Sequence, residues 1–186
     1  MKNATLFAVV MAVVLALPVA AKELAGVQFP DTVTVEGKAL KLNGVGLRKK
    51  VVFKVYAAAL YVENTSPNAQ QVIESEQVKR VRMSMLRDLD KKTITEAIVE
   101  GFKKNAGDKL PALQQRLDTF TAAIPDLKKG DELVLTYVPA KGTTIESKAG
   151  QKISVEGKDF SDALFSVWLG KSPVDGSLKD GMLGKE

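Results

Sequence analysis

Val51-Val52-Phe53-Lys54-Val55-Tyr56-Ala57-Ala58-Ala59-Leu60-Tyr61-Val62 is the stretch whose reading decides how this chain folds. It is rich in β-branched and aromatic residues, and most of it is apolar at consecutive rather than alternate positions. A strand wetted on one face alternates; a strand covered on both faces does not. The stretch therefore predicts a central strand over 51–62 with material packed on either side. Upstream, Thr32 to Leu42 alternates apolar and polar residues around Glu36-Gly37, the pattern of a short hairpin. Asn43-Gly44-Val45-Gly46 reads as a turn, because glycine supplies the positive φ that a reversal needs.

Downstream, Asn68 to Glu76 predicts a short helix. Val78 to Met85 predicts a strand with Val81, Met83 and Met85 on one face and Arg80, Arg82 and Ser84 on the other. Ile94, Ile98 and Phe102 recur at helical spacing after Asp90, a candidate N-cap. Leu113, Leu117, Phe120 and Ile124 do so after Pro111, which suits a first helical turn. Glu132–Val138, Thr143–Ser147 and Lys152–Val155 read as a meander joined at Lys141-Gly142 and Ala149-Gly150. A helix over Asp159–Leu169 ends at Gly170, and a last one covers Asp175–Leu183. The sum is an α+β domain over residues 22–186, an antiparallel sheet packed by helices on one face.

The start of the chain has a different logic. Lys2 precedes an unbroken apolar run from Leu6 to Leu17, followed by Pro18-Val19-Ala20-Ala21. A positive start, an apolar stretch of this length and small residues at its end form a secretory signal pattern. The run is shorter than the roughly 20 residues a spanning helix needs. Residues 1–21 are expected to be removed and the product to be periplasmic, with no stable membrane insertion after cleavage.

Composition narrows the chemistry. The chain has no cysteine and no histidine. A disulfide framework, an ordinary zinc site, a thiol nucleophile and a Ser-His-Asp triad are therefore excluded. Of 186 residues, 27 are Lys or Arg and 22 Asp or Glu, a net charge of +5 spread along the sequence. Clusters such as Arg48-Lys49-Lys50 fall short of a basic stripe, so no nucleic-acid partner is expected. No metal, cofactor or catalytic residue is assigned.

Several strings in order resemble the chalcone isomerase fold, specifically its bacterial chalcone isomerase-like branch. They are Gly44-Val45-Gly46-Leu47-Arg48, Lys54 to Glu63, Leu86-Arg87-Asp88-Leu89, and Ala163 to Gly170 followed by Pro173-Val174-Asp175. The resemblance is colinear over roughly residues 25–184 and implies an open-faced β-sandwich. It places Arg48 on the family's site arginine and Tyr56 on the site threonine of the plant isomerases. The site lysine falls near Met85, the tyrosine near Ile94 and the asparagine near Gly101, so three polar groups of the isomerase site are missing. Non-catalytic members resemble fatty-acid-binding proteins, in which an arginine and a tyrosine take the carboxylate. The resemblance thus implies a ligand site of Arg48, Tyr56, Met83, Met85 and Ile94 for a small amphipathic anion such as a fatty acid. An isomerase or intramolecular lyase acting on a phenolic or enone substrate, and a scaffold with no small ligand, stay open as alternatives.

One geometric condition governs that site. Within a single extended strand Arg48 and Tyr56 would lie roughly 26 Å apart. A reversal at Lys49-Lys50 would leave Tyr56 opposite Asn43. Only a turn centred near Val52 pairs the two residues, and valines are poor turn formers. On residue type alone, Arg48-Lys49-Lys50 reads as a solvated turn and Tyr56 as a core aromatic.

Overall fold

Positive backbone angles mark where this sheet turns. Glu36 (φ 50°) and Gly37 (φ 75°) close the expected hairpin between β3 (Thr32–Val35) and β4 (Lys38–Lys50). Two successive positive φ values match the twist of the flanking strands. In this computed structural model, which describes residues 20–147 and 152–185, seven strands form one antiparallel sheet. Their spatial order is the chain order: β3, β4, β5 (Phe53–Val62), β6 (Lys79–Met85), β7 (Glu132–Val138), β8 (Gly142–Ser147) and β9 (Ile153–Val155). The signal segment, apart from its last two residues, and the Ala149-Gly150 turn lie outside the described residues.

Helices α1 (Ala69–Glu74), α2 (Lys91–Ala106), α3 (Leu110–Ala122), α4 (Lys158–Leu169) and α5 (Gly176–Met182) supply the layer on one face. Asp90 caps α2 by accepting from the Thr93 N–H at 2.7 Å, and Pro111 sits in the first turn of α3. Ala58, Leu60 and Val62 of β5 join Phe102, Leu117, Phe120, Phe160 and Leu164 in the main core. The other face is covered too. A hairpin of β1 (Ala21–Leu24) and β2 (Val27–Pro30), which no alternation pattern revealed, lays Phe29 over Ala57, Ala59 and Tyr61. Residues 57–62 of β5 are all fully buried, so this strand is covered on both sides as its composition requires. The cover also reaches Arg82, on the polar face of β6. Its guanidinium makes a two-point pair with Glu132, donates to the Gln28 carbonyl at 3.0 Å and lies 5.2 Å from the Phe29 ring centre.

Two further expectations are overturned, both beside the site. Residues 43–46 are not a turn but the middle of β4, and neither Gly44 nor Gly46 has a positive φ. Their glycines serve close approach. A Cβ on Gly44 would stand 2.2 Å from the Gly181 carbonyl oxygen, and one on Gly46 would stand 2.4 Å from that of Leu178. Helix α5 therefore rests backbone to backbone on β4. The bulge at Asn43 adds a clasp, its side-chain amide donating to the Met182 carbonyl at 2.9 Å. The second correction is that Val51-Val52 is not strand. It is the two-residue reversal between β4 and β5, with Val51 at φ 56°.

One cation is buried without a close carboxylate. Lys79 has no exposure and donates to the Ile73 and Ser75 carbonyls (2.6 and 3.2 Å) at the end of α1, with Asp162 4.0 Å away. Burial pushes its amine down to about 8. Between that value and the lysine's ordinary one, the unfolded chain binds a proton that the folded chain does not, so stability rises with pH.

Two outcomes follow for stability. Gly46→Ala lowers the free energy of unfolding by about 1–3 kcal/mol in denaturant titration, because backbone and not a flexible side chain must yield. Stability of the wild type climbs between pH 8 and pH 10, by up to about 1.4 kcal/mol per pH unit, and Lys79→Met abolishes the climb. A flat wild-type profile over that window would contradict the burial of a charged amine.

Candidate functional site

The reversal at Val51-Val52 sets the register that the site depends on. Arg48 pairs directly with Tyr56, and Tyr56 with Met85 on the next strand. Directly paired residues of antiparallel strands project from the same face. Arg48, Tyr56 and Met85 therefore form one row across β4, β5 and β6, facing the helices. The neighbouring row is Gly46, Ala58, Met83 and Leu133. Small residues at the first two positions leave room above the sheet, and α5 and the cleft share it.

A bulge between Arg48 and Lys49 keeps this register despite the tight turn. Val55 is the extra residue, and its carbonyl accepts from the Leu86 N–H at 2.9 Å.

Above these rows lies a cleft of about 800 Å³, within the usual range for small-molecule pockets. Its floor is Tyr56, Met83, Met85 and Leu133; its roof is Ile94, Ala97, Ile98 and Gly101 of α2 with Val167 and Trp168 of α4. All of Arg48, Tyr56, Met83, Met85 and Ile94 line it, so the structure gathers the five residues expected from the sequence into one hollow. Lys50, Val51, Phe53 and Arg87 stand around its opening. A second hollow of about 840 Å³, bordered by Asp90, Lys91, Thr93 and Asp126, is shallow. Its carboxylates are occupied, Asp90 in capping α2 and Asp126 in accepting from the Lys91 N–H.

The polar end of the cleft is built from three elements. Arg48 Nη1 donates to the Lys49 carbonyl at 2.7 Å and to Asp175 Oδ2 at 3.2 Å. The rest of the guanidinium has no protein partner among the described residues, and the side chain is 23% exposed, so it is no rim group. Asp175 caps α5, accepting from Leu178 N at 3.1 Å and Ser177 Oγ at 2.8 Å, while its other oxygen also takes the Lys49 N–H. Burial pushes the Asp175 carboxyl up, but the bonds from Ser177, Leu178, Lys49 and Arg48 outweigh it and hold it below the ordinary aspartate value. Tyr56 Oη accepts from Trp168 Nε1 at 3.0 Å. Its own proton has no acceptor among the described residues. Burial pushes the phenol up to about 12, so Tyr56 is a donor at any ordinary pH and a poor general base.

Sequence reading missed two members of this site. Asp175 stood in plain view as the first residue of the last helix, yet only the folded chain brings it to Arg48. Trp168 belongs to the core, and its ring nitrogen in addition fixes the Tyr56 hydroxyl. Arg87 and Asp88, adjacent in sequence, take different partners: Asp88 takes Lys128 at 3.1 Å, and Arg87 lies 5.2 Å from the Phe53 ring centre.

Residues 21–184 match the family model described as chalcone isomerase-like. The chain belongs to the chalcone isomerase-like family. Among solved structures it is similar to a fatty-acid binding protein of Arabidopsis thaliana, with a TM-score of 0.66 and 18% identity, over 88% of this chain and 96% of the other. No curated protein matches by sequence. As a member of this family the chain departs from the isomerase pattern inside the cleft itself. Met85, Ile94 and Gly101, the positions that the sequence resemblance sets against the plant isomerases' lysine, tyrosine and asparagine, all line it, and none carries a side-chain donor.

Asp175→Asn separates the ion pair from the helix cap, since asparagine caps as well as aspartate. The substitution costs about 1 kcal/mol at neutral pH. Asp175 is held below its ordinary value, so its contribution is complete above the unfolded value and fades as pH falls through the folded one. Urea titrations of the two proteins therefore converge at strongly acid pH; a constant difference would deny Asp175 this role.

Proposed function

We propose that this protein is a non-catalytic carrier of a small amphipathic anion, a fatty acid or a close analogue, held in the cleft between the sheet and α2/α4. The observation that carries the reading is the pairing of Arg48 with Tyr56 at one end of an apolar hollow. A guanidinium with a free edge and a phenol with a free proton both donate, and a carboxylate accepts two such bonds at once. The remaining lining is aliphatic, thioether and aromatic, and methionine adapts to a flexible tail. Each buried methylene contributes about 0.8 kcal/mol, so a long chain binds well with one polar anchor. Asp175 sets a limit on that anchor. It already shares Arg48, which fixes the guanidinium in orientation and leaves the incoming carboxylate its unshared edge.

The same features speak for binding over isomerisation. Tyr56 stays protonated to about pH 12, and the positions of three orienting groups hold Met85, Ile94 and Gly101. The fatty-acid binding of the Arabidopsis protein supports the reading by analogy of fold. We propose further that the chain is exported to the periplasm and cleaved after Ala21, a reading supported by the apolar run and its small-residue end.

Isothermal titration with a soluble long-chain fatty acid is the test. Arg48→Ala weakens binding at least tenfold, and Tyr56→Phe by roughly three- to tenfold, the value of one hydrogen bond. An unchanged dissociation constant in Arg48→Ala removes the proposal. Native mass spectrometry of protein from its own host complements it, with a chain starting at Lys22 that carries a co-purified acyl ligand.

A further inference from the structure

The apolar surface this fold leaves in water is gathered in one place. Val51, Val52 and Phe53 are 88%, 79% and 59% exposed, the large hydrophobic side chains that stand out among the described residues. They are consecutive and form the tip of the β4–β5 hairpin. Single exposed hydrophobics need no explanation, but a contiguous group at a projecting turn does.

The turn is also made against local preference. Val51 holds φ 56°, a conformation that a β-branched side chain rarely adopts and that glycine or asparagine would take without strain. Below the tip, Lys49 is paired directly with Lys54, and Lys50 with Phe53. Like charges opposite each other repel, and none of these three ammonium groups has a carboxylate within ion-pair distance among the described residues. Arg87, exposed and also without a carboxylate, reaches the same place over the Phe53 ring. An apolar point thus sits inside a collar of four cations.

We propose that this hairpin tip docks on an anionic lipid surface, with the three apolar side chains entering the interface and Lys49, Lys50, Lys54 and Arg87 meeting lipid phosphates. The charge arrangement decides the occupant. A protein partner or a second copy would need carboxylates placed for four separate cations, whereas an anionic bilayer offers negative charge wherever the collar lands. The position decides the consequence. Lys50, Val51, Phe53 and Arg87 are also residues of the cleft opening, so docking sets that opening against the membrane. An amphiphile then passes between bilayer and cleft without crossing bulk water. This surface contact is distinct from membrane insertion, and no described helix is long and apolar enough to span. The proposal stands whether or not the ligand is a fatty acid, because it concerns the outside of the hairpin.

Co-sedimentation with large unilamellar vesicles tests it, using protein purified from the soluble fraction. Vesicles of phosphatidylcholine are compared with an equimolar phosphatidylcholine–phosphatidylglycerol mixture. The wild type partitions at least tenfold more strongly onto the anionic vesicles, and added salt reduces the difference. Val52→Asp and Lys54→Glu each lose at least tenfold of that partitioning. Neither Val52 nor Lys54 lines the cleft, so both variants keep the wild-type dissociation constant for soluble ligand, and unchanged circular dichroism shows, independently of any ligand, that they are folded. Equal partitioning onto the two vesicle types overturns the proposal, as does wild-type partitioning in both variants. A concentration-dependent dimer in sedimentation velocity that Val52→Asp dissolves would overturn it in favour of a second copy. Failure here leaves the Arg48→Ala titration untouched, and the reverse is equally true.

Discussion

The Asp175 carboxylate joins two parts of the chain that otherwise meet through packing and the Asn43 clasp on Met182. One oxygen caps the last helix through Leu178 and Ser177; the other receives the Lys49 backbone N–H and the Arg48 guanidinium. A single charged group thus ties α5 to the β4–β5 hairpin and fixes how the site cation is presented. Because the pair is part-buried, its hydrogen bonds are less screened than those of the exposed pairs such as Lys92 with Glu96. The glycines of β4 prepare this contact. Without the room at Gly44 and Gly46, α5 would ride higher over the sheet and its capping aspartate would miss Arg48.

The Tyr56 side of this polar end has the same economy. Trp168 comes from a helix whose buried face is otherwise structural, yet its one polar atom holds the Tyr56 hydroxyl. Tyr56 then has an acceptor role filled by protein and a donor role left open. Arg48 is in a similar condition, one nitrogen engaged and the rest unengaged. Two half-satisfied donors facing an apolar hollow suit the proposed carboxylate, since neither must move or lose an existing bond to receive it.

Most of the architecture was legible in the sequence, because its signals are local. Asp90 and Pro111 mark helix starts, Leu113 to Ile124 keeps one face, and Glu36-Gly37 marks a hairpin; each depends on neighbours a few residues away. The features that were misread depend on distant partners. Gly44 and Gly46 look like turn glycines until α5, some 130 residues later in the sequence, is seen to need the space. Val51-Val52 looks like strand by every propensity, and only the pairing of two long flanking strands forces the reversal onto it. The hairpin of Ala21–Pro30 was silent because half its residues are exposed and its partner face belongs to another layer. Within the site, residue types and gathering were foreseeable from the family resemblance, whereas Asp175 and the Trp168 bond needed coordinates.

The order of the sheet gives the Arg48–Asp175 contact a further meaning. Strands that neighbour one another in space also follow one another in the chain, so the sheet can zip up progressively, through short closures except where α2 and α3 intervene between β6 and β7. Arg48 and Asp175 are 127 residues apart, and their meeting waits until the C-terminal helix has settled on the glycines of β4. The proposed anion anchor is consequently among the last things this polypeptide completes. A chain arrested before its final two dozen residues would own the floor of the cleft while its arginine had only the neighbouring Lys49 carbonyl to steady it.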